Sequence, residues 1–329
     1  MRIYKSTIAA LIVLANGAYA AHAGDPAVKA MPAATNTPFF LVNDNRLTYS
    51  YIFNAADPGV TSNTAKQGYS FTHFDAWAYG TNFLNATMWR ADSNAPANGC
   101  KGAGQGCAGA TEFYGILRST FGFNELFNTR VFTYGPLRNV SFEIGADAKT
   151  VNNAVASDKR ALFAGLQFAF DLPYKGFINL APMYYQELNH NSVVQGPALP
   201  SGQIRYNPTW AFEVNYYMDL GFLPSYLPLS VSGRASIIGP KGPQTSPIPF
   251  NPITNVQTTT EINSEPIRLT LDTSRMIWGD KYSHFLDVWV AYRYWGNKYG
   301  ISPDSLSCKG VGLNSCTESS LYSGVTVKF

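Results

Sequence analysis

Glu112, Tyr114 and Arg118 stand two and four residues apart in the segment EFYGILRSTFGF. In an extended chain, side chains at even spacings share a face, so an acid, a phenol and a guanidinium would line one surface together. Such a surface offers hydrogen bonds of both polarities beside an aromatic ring. Alternation applied along the chain adds Glu143, Asp147, Glu187, Glu213, Arg234, Arg268, Asp272, Asp287 and Arg293 to that face, interleaved with Tyr185, Tyr217 and Trp289. Acids and arginines on opposing walls, with aromatic faces between them, suit neutral, planar, hydrogen-bonding solutes. Rings stack on a base of any identity, and the charged groups bond to sugar hydroxyls. An anion-specific pore would want a ring of Arg or Lys instead.

The expected pore-lining set is therefore Glu112, Tyr114, Arg118, Glu143, Glu213, Tyr217, Arg234, Arg268, Asp287, Trp289 and Arg293. Buried charges must be paired or hydrated, so each of these also has a plain role in salt bridges that hold an interior open. Nothing in the chain calls for catalysis: H-E-x-x-H, G-x-S-x-G and G-x-x-x-x-G-K-[ST] are all absent. His73, His190 and His284 lie at no ligand spacing from another His or from Cys. The reading is of a non-enzyme with no cofactor and no metal site.

The elements that must position these residues are strands. In Glu112 to Phe123, the apolar Phe113, Leu117, Phe121 and Phe123 oppose the polar face. The same split recurs in TWAFEVNYYMD (209–219) and DVWVAYRYW (287–295), with weaker copies at 138–148, 159–171, 177–187, 227–238 and 262–273. Aromatics make up 14% of the chain and charged residues only 14%, against about 25% charged in an ordinary soluble domain. An apolar outer surface in contact with something other than water follows.

Strands of roughly 9 to 11 residues with aromatics toward their ends, short turns on one side and long loops on the other, match a transmembrane barrel. Twelve are expected, near 45–55, 67–76, 79–90, 110–123, 138–149, 159–171, 176–189, 206–219, 227–239, 260–273, 284–297 and 319–329. The fold class is thus all-β, a transmembrane antiparallel up-and-down β-barrel. Turns such as Leu172-Pro-Tyr-Lys175 are short, whereas 91–109, 190–205, 240–259 and 298–318 are long and rich in Gly, Pro, Asn and Ser. With both termini periplasmic, parity puts all four long connections outside.

Both cysteine pairs fall in those long connections, Cys100/Cys107 and Cys308/Cys316. Local pairing closes two small loops and suits an oxidising compartment, whereas a structural zinc site would want closer C-x₂₋₄-C spacing. At the start of the chain, residues 1–23 read as a secretory signal. Arg2 and Lys5 are followed by the apolar Thr7 to Ala15 and by small-x-small cleavage sites at Ala18 to Ala20 or Ala21 to Ala23. Residues 24–41 would form an N-terminal periplasmic segment, and 42–329 the barrel. Without Arg2 and Lys5, the 24 basic residues fall to 22 against 21 acidic ones, which leaves no electrostatic footprint for nucleic acid.

The chain ends YSGVTVKF, with Leu321, Ser323, Val325, Val327 and Phe329 alternating against Tyr322, Gly324, Thr326 and Lys328. A terminal strand that pairs with the first strand removes the sheet's edges, as a bilayer requires, and places Phe329 in lipid at the interface. The ending resembles the terminal aromatic signature of bacterial outer-membrane barrels, which implies that their assembly machinery recognises the Phe329 strand. VNDNRLTYSY (42–51), FTHFDAWAYGTNF (71–83) and EFYG (112–115) resemble the Tsx/OmpK family of outer-membrane proteins. That resemblance implies a monomeric twelve-stranded barrel in the bacterial outer membrane, surrounded by its lipids, that passes small solutes by diffusion, with nucleosides as cargo. A general small-nutrient porin and a surface-recognition barrel for phage or host partners are the alternatives.

Overall fold

Period-two alternation becomes one antiparallel sheet. In the computed structural model, residues 39–58, 60, 62–100, 107–153, 158–190, 203–242, 258–303, 308 and 315–329 are described. The expected signal segment lies outside them. The strands are β1 (Phe40–Ala55), β2 (Thr64–Trp77), β3 (Gly80–Ala91), β4 (Thr111–Gly122), β5 (Leu137–Val151), β6 (Asp158–Leu172) and β7 (Gly176–His190). They continue with β8 (Gln203–Arg205), β9 (Thr209–Asp219), β10 (Leu229–Ile238), β11 (Glu261–Asp272), β12 (Leu286–Gly296) and β13 (Glu318–Lys328). The three-residue β8 only extends the end of β7. The other twelve pair in order around a closed ring, which β6–β7 and β1–β13 complete.

The expected pairing of the terminal strand with the first strand closes this ring. Arg46 to Ile52 run in register against Lys328 to Tyr322, and the Phe329 N–H donates to the Asn45 carbonyl at 3.0 Å. Phe329 itself is 67% exposed on the outer face. Every spanning strand thereby finds two partners, and no edge is left to lipid.

Burial is inverted relative to a water-soluble sandwich. Leu47, Phe113, Leu117, Leu162, Val288, Val290, Leu321 and Val325 are exposed, while Arg46, Glu112, Arg118, Glu187 and Asp287 are buried inside the ring. A continuous apolar belt around a polar interior is the surface of a membrane barrel. No helix among the described residues is long and apolar enough to cross a membrane. An even number of spanning strands with both ends of the barrel on one rim is the architecture of bacterial outer-membrane barrels, and this chain is one.

On the rim that carries both ends of the barrel, the connections are 78–79, 123–136, 173–175, 220–228 and 273–285; the opposite rim carries 56–63, 92–110, 152–157, 191–208, 239–260 and 297–317. All four connections expected to be external lie on this second rim, so it is the extracellular one. Cys100 is joined to Cys107 and Cys308 to Cys316 there, with Cα separations of 5.7 and 5.3 Å. The spanning strands run from 10 to 16 residues. Several therefore exceed the ~9–11 residues that hydrocarbon demands, and the wall continues past it.

Toward the periplasmic rim the outer face carries a polar chain. Ser119 donates to Asn82 at 2.7 Å and Asn82 to Asp75 at 2.9 Å; His73 joins Asp75 at 3.1 Å to Asn45 at 2.8 Å. These groups sit next to Trp77, Tyr79 and Phe121, whose rings pack edge-on at the same rim. Aromatic rings of that kind mark the headgroup level, where polar groups remain hydrated.

Candidate functional site

The lumen is divided. Arg118, projecting inward from β4, reaches the far wall and grips Glu213 of β9 bidentately at 2.8 and 2.7 Å, while its third nitrogen donates to Asp147 of β5 at 2.8 Å. Its guanidinium also lies 4.1 Å above the Phe163 ring. Gly145, its cross-strand neighbour, makes room for this path: a Cβ there would lie 2.5 Å from the Arg118 side chain. Glu143 accepts from Gln167 at 2.9 Å, Tyr217 stacks on Phe177, and Phe163, Met183, Tyr185 and Ile238 form an apolar cluster. The sector from β5 to β9 is thus filled, and its charges act as a strut.

The other sector encloses a cavity of about 90 Å³, lined from β1–β4 and β10–β13. That volume has room for several waters. One side is an aromatic shelf: Trp289 and Tyr322 meet edge-on at 4.7 Å, and Trp89 approaches Tyr322 at 5.8 Å. Trp289 Nε1 donates to Thr326 at 3.0 Å, which fixes the indole. Gly324 lets it lie flat on the wall, since a Cβ at 324 would fall 2.3 Å from the ring.

Arginines occupy three consecutive strands beside the shelf: Arg234 on β10, Arg268 on β11 and Arg293 on β12. Arg268 Nε donates to Glu265 at 2.5 Å, and its guanidinium stacks 3.9 Å above Trp289. Arg293 Nε donates to Glu318 at 2.5 Å between Trp89 and Trp295. Across the cavity, Glu112 is fully engaged by Lys66 at 3.2 Å and Lys149 at 3.1 Å. The expected placement of acids and arginines on opposing walls holds for Arg118 and Glu213 but not around this cavity, where Glu265 and Glu318 bind the arginines on their own wall.

Above the cavity, extracellular connections fold into the barrel mouth. Lys298, in the β12–β13 connection, is 1% exposed and binds Glu318 at 2.6 Å, Asp57 at 3.4 Å and the Ala56 carbonyl. Tyr299 accepts from Lys149, and Asp57 binds Lys66 at 2.6 Å. Burial alone would raise the Asp57 carboxyl, but the adjacent Lys66 and Lys298 ammoniums overrule it and hold the group well below the usual carboxylate range. Lys241, from the β10–β11 connection, is buried against Glu187 and lies 4.5 Å from the Tyr206 ring. Together these residues plug the mouth.

At the periplasmic end, Asp272 and Asp287 face each other across β11 and β12, with the His284 Nδ1 3.0 Å from Asp287 and 3.8 Å from Asp272. Their donor atoms lie within 4.8 Å of one another, the spacing of a metal triad. The acids already have partners: Asp272 accepts from Ser283, Ser274 and the Arg275 N–H, and Asp287 also faces Arg46 at 3.7 Å. The cluster caps the helix Thr273–Trp278 and joins the two strands.

Of the expected set, Glu112, Tyr114, Arg234, Arg268, Trp289 and Arg293 border the cavity. Arg118, Glu143, Glu213, Tyr217 and Asp287 point inward but belong to the strut, the filled sector or the periplasmic cluster. Arg46, Trp89, Asn263, Glu265 and Tyr322 also line the cavity and were absent from that set; the same alternation puts Arg46, Trp89 and Tyr322 inside, whereas Asn263 and Glu265 come inside with Arg268 only because a register shift between Ser264 and Ile267 reverses the phase of β11. For Lys298, Tyr299 and Lys241 no such signal exists, since loop residues carry no period.

No protein-family model matches the chain. No curated protein matches it. Among solved structures, the translocator domain of the autotransporter NalP from Neisseria meningitidis is similar at 11% identity and TM-score 0.39, over 87% of this chain and 88% of that one. The beta domain of the Bordetella autotransporter Brka is similar at 8% and 0.36, over 87% and 99%. Acinetobacter baumannii OccAB2 is similar at 7% and 0.31, over 88% and 98%. At such identities and scores they bear on neither substrate nor mechanism.

Proposed function

We propose that the barrel is an outer-membrane channel for passive diffusion of small hydrophilic solutes, with nucleosides as the leading cargo. The observation that carries this is the mid-lumen cavity, in which the Trp89, Trp289 and Tyr322 shelf faces hydrogen-bonding groups. Rings of this kind stack on a nucleobase, and the hydroxyls and amide of Thr48, Ser70, Asn85 and Thr87, on the β1–β3 wall that adjoins the shelf, suit a sugar. The Tsx/OmpK resemblance of 42–51, 71–83 and 112–115 supports the same cargo. Passage requires the Lys298 and Tyr299 segment to move aside, so the plug would act as a gate. The β13 strand ending in Phe329 is the element by which assembly machinery would receive the barrel.

Uptake into liposomes tests the proposal, comparing radiolabelled thymidine with a sugar and an amino acid of similar size. Preferential entry of thymidine that unlabelled nucleoside competes away is the expected result. Equal entry of all three would make it a general small-nutrient porin. The buried plug itself favours a second reading, a surface-recognition barrel with a sealed lumen; entry no faster than in protein-free vesicles would establish that instead.

A further inference from the structure

Arg268 and Arg293 leave most of their hydrogen-bonding capacity unused. A guanidinium carries five N–H donors, and each of these two commits only its Nε, to Glu265 and to Glu318. Their terminal nitrogens make no hydrogen bond to any described residue, although the side chains are only 13% and 11% exposed. Buried donors left without partners are costly, and structures keep them where water or a ligand receives them. Both residues border the same cavity.

The nearby acids do not offset this. Glu112 has one oxygen on Lys66 and the other on Lys149, and Glu318 is shared between Arg293 and Lys298. Stacking on Trp289 at 3.9 Å, and on Trp89 and Trp295 at 5.9 and 5.4 Å, holds the two planes in place while their outer edges face the cavity. Asn263, 8% exposed on the same wall, has a buried Oδ1 with no hydrogen-bond partner among the described residues.

We infer that this wall is an oxyanion subsite beside the aromatic shelf, so that besides neutral nucleosides the channel takes, and holds more tightly, solutes that carry a carboxylate or phosphate group next to a planar or hydroxylated moiety. The inference rests on the channel reading for transport, but not for binding. Guanidinium forks match carboxylate and phosphate oxygens in pairs and meet a negative charge there, which a neutral base or a sugar does not supply.

The experiment is calorimetric titration of the detergent-solubilised barrel at low ionic strength with thymidine, thymidine 5′-monophosphate, succinate and inorganic phosphate, alongside conductance in planar bilayers. Thymidine 5′-monophosphate, succinate or both should bind at least about tenfold more tightly than thymidine, the size expected of one charge-assisted hydrogen bond. Phosphate-bearing probes alone would identify a phosphate site, and succinate alone a carboxylate site. Arg268→Lys keeps a cation on Glu265 and removes the fork, so it should abolish most of that preference in a barrel that still resists unfolding by detergent. Inorganic phosphate binding alone, unaffected by Arg268→Lys, would mean an adventitious ion only. Conductance with equal affinity for charged and neutral probes would overturn the oxyanion inference and leave the channel reading standing. Anion binding without conductance would do the reverse.

Discussion

Two residues show how the lumen is built at the level of single side chains. Trp289 lies flat because position 324 has no Cβ, so Gly324→Ala forces the ring off the wall. Overpacking of this kind typically costs about 1–3 kcal/mol, and it would also tilt the surface on which Arg268 stacks. The expected outcome is a lower unfolding midpoint in denaturant; an unchanged midpoint would mean that the indole has another resting place. Glu213 is a sharper case, because its loss removes the acceptors of two of the three Arg118 nitrogens in a filled sector and leaves Asp147 as the one carboxylate on that guanidinium. Glu213→Ala should therefore destabilise by roughly 3–5 kcal/mol, whereas Arg118→Leu combined with Glu213→Leu should cost less, because only Asp147, which keeps the Tyr114 hydroxyl as a donor, then loses its buried cation. Equal losses in the single and double variants, measured by reversible unfolding in lipid vesicles, would show that the strut is not a coupled pair.

At the scale of elements, the strands and the plug were not equally legible. A bilayer demands apolar outside and polar inside at every second residue, so β4, β9, β12 and β13 announce both their existence and their faces in sequence. Alternation gives the face but not the position around the ring. The pairing of Arg118 with Glu213, 95 residues away, depends on ring closure and could not be read locally. The same gap hid the arrangement of Glu265 and Glu318 beside the arginines. The plug left no trace at all. Asn297, Tyr299 and Gly300 take positive φ values of 50°, 61° and 73° to turn the chain into the barrel, which only the buried contacts of Lys298 and Tyr299 explain. If this segment gates the lumen, Lys298→Ala releases it from Glu318 and Asp57 and should raise single-channel conductance severalfold. Unchanged conductance would place the barrier elsewhere, for instance at the apolar periplasmic cluster of Val42, Phe74, Phe83 and Ile116.

At the scale of the whole molecule, the plug joins the β1–β2 and β12–β13 connections to β2, β4, β5 and β13 through one set of ion pairs, so its charge state decides whether the mouth stays shut. Asp57 is the hub that lies outside the spanning strands. Its carboxyl is held below the ordinary 3.8 because Lys66 and Lys298 outweigh the opposing effect of burial. A carboxyl whose pKa is lower when folded contributes its full stabilisation above the ordinary value and loses it only as pH falls through the lowered one. Asp57 therefore keeps the plug anchored across neutral and mildly acidic conditions. Conductance measured from pH 7.5 down to pH 4.5 should show no opening step attributable to this residue. Asp57→Asn removes the charge at every pH while keeping the shape, so it should give at pH 7.5 the more open channel that the native chain withholds. A native channel that opens between pH 6 and pH 5, with Asp57→Asn behaving identically, would mean that the latch is another titrating group and that this carboxylate is only a spacer in the mouth.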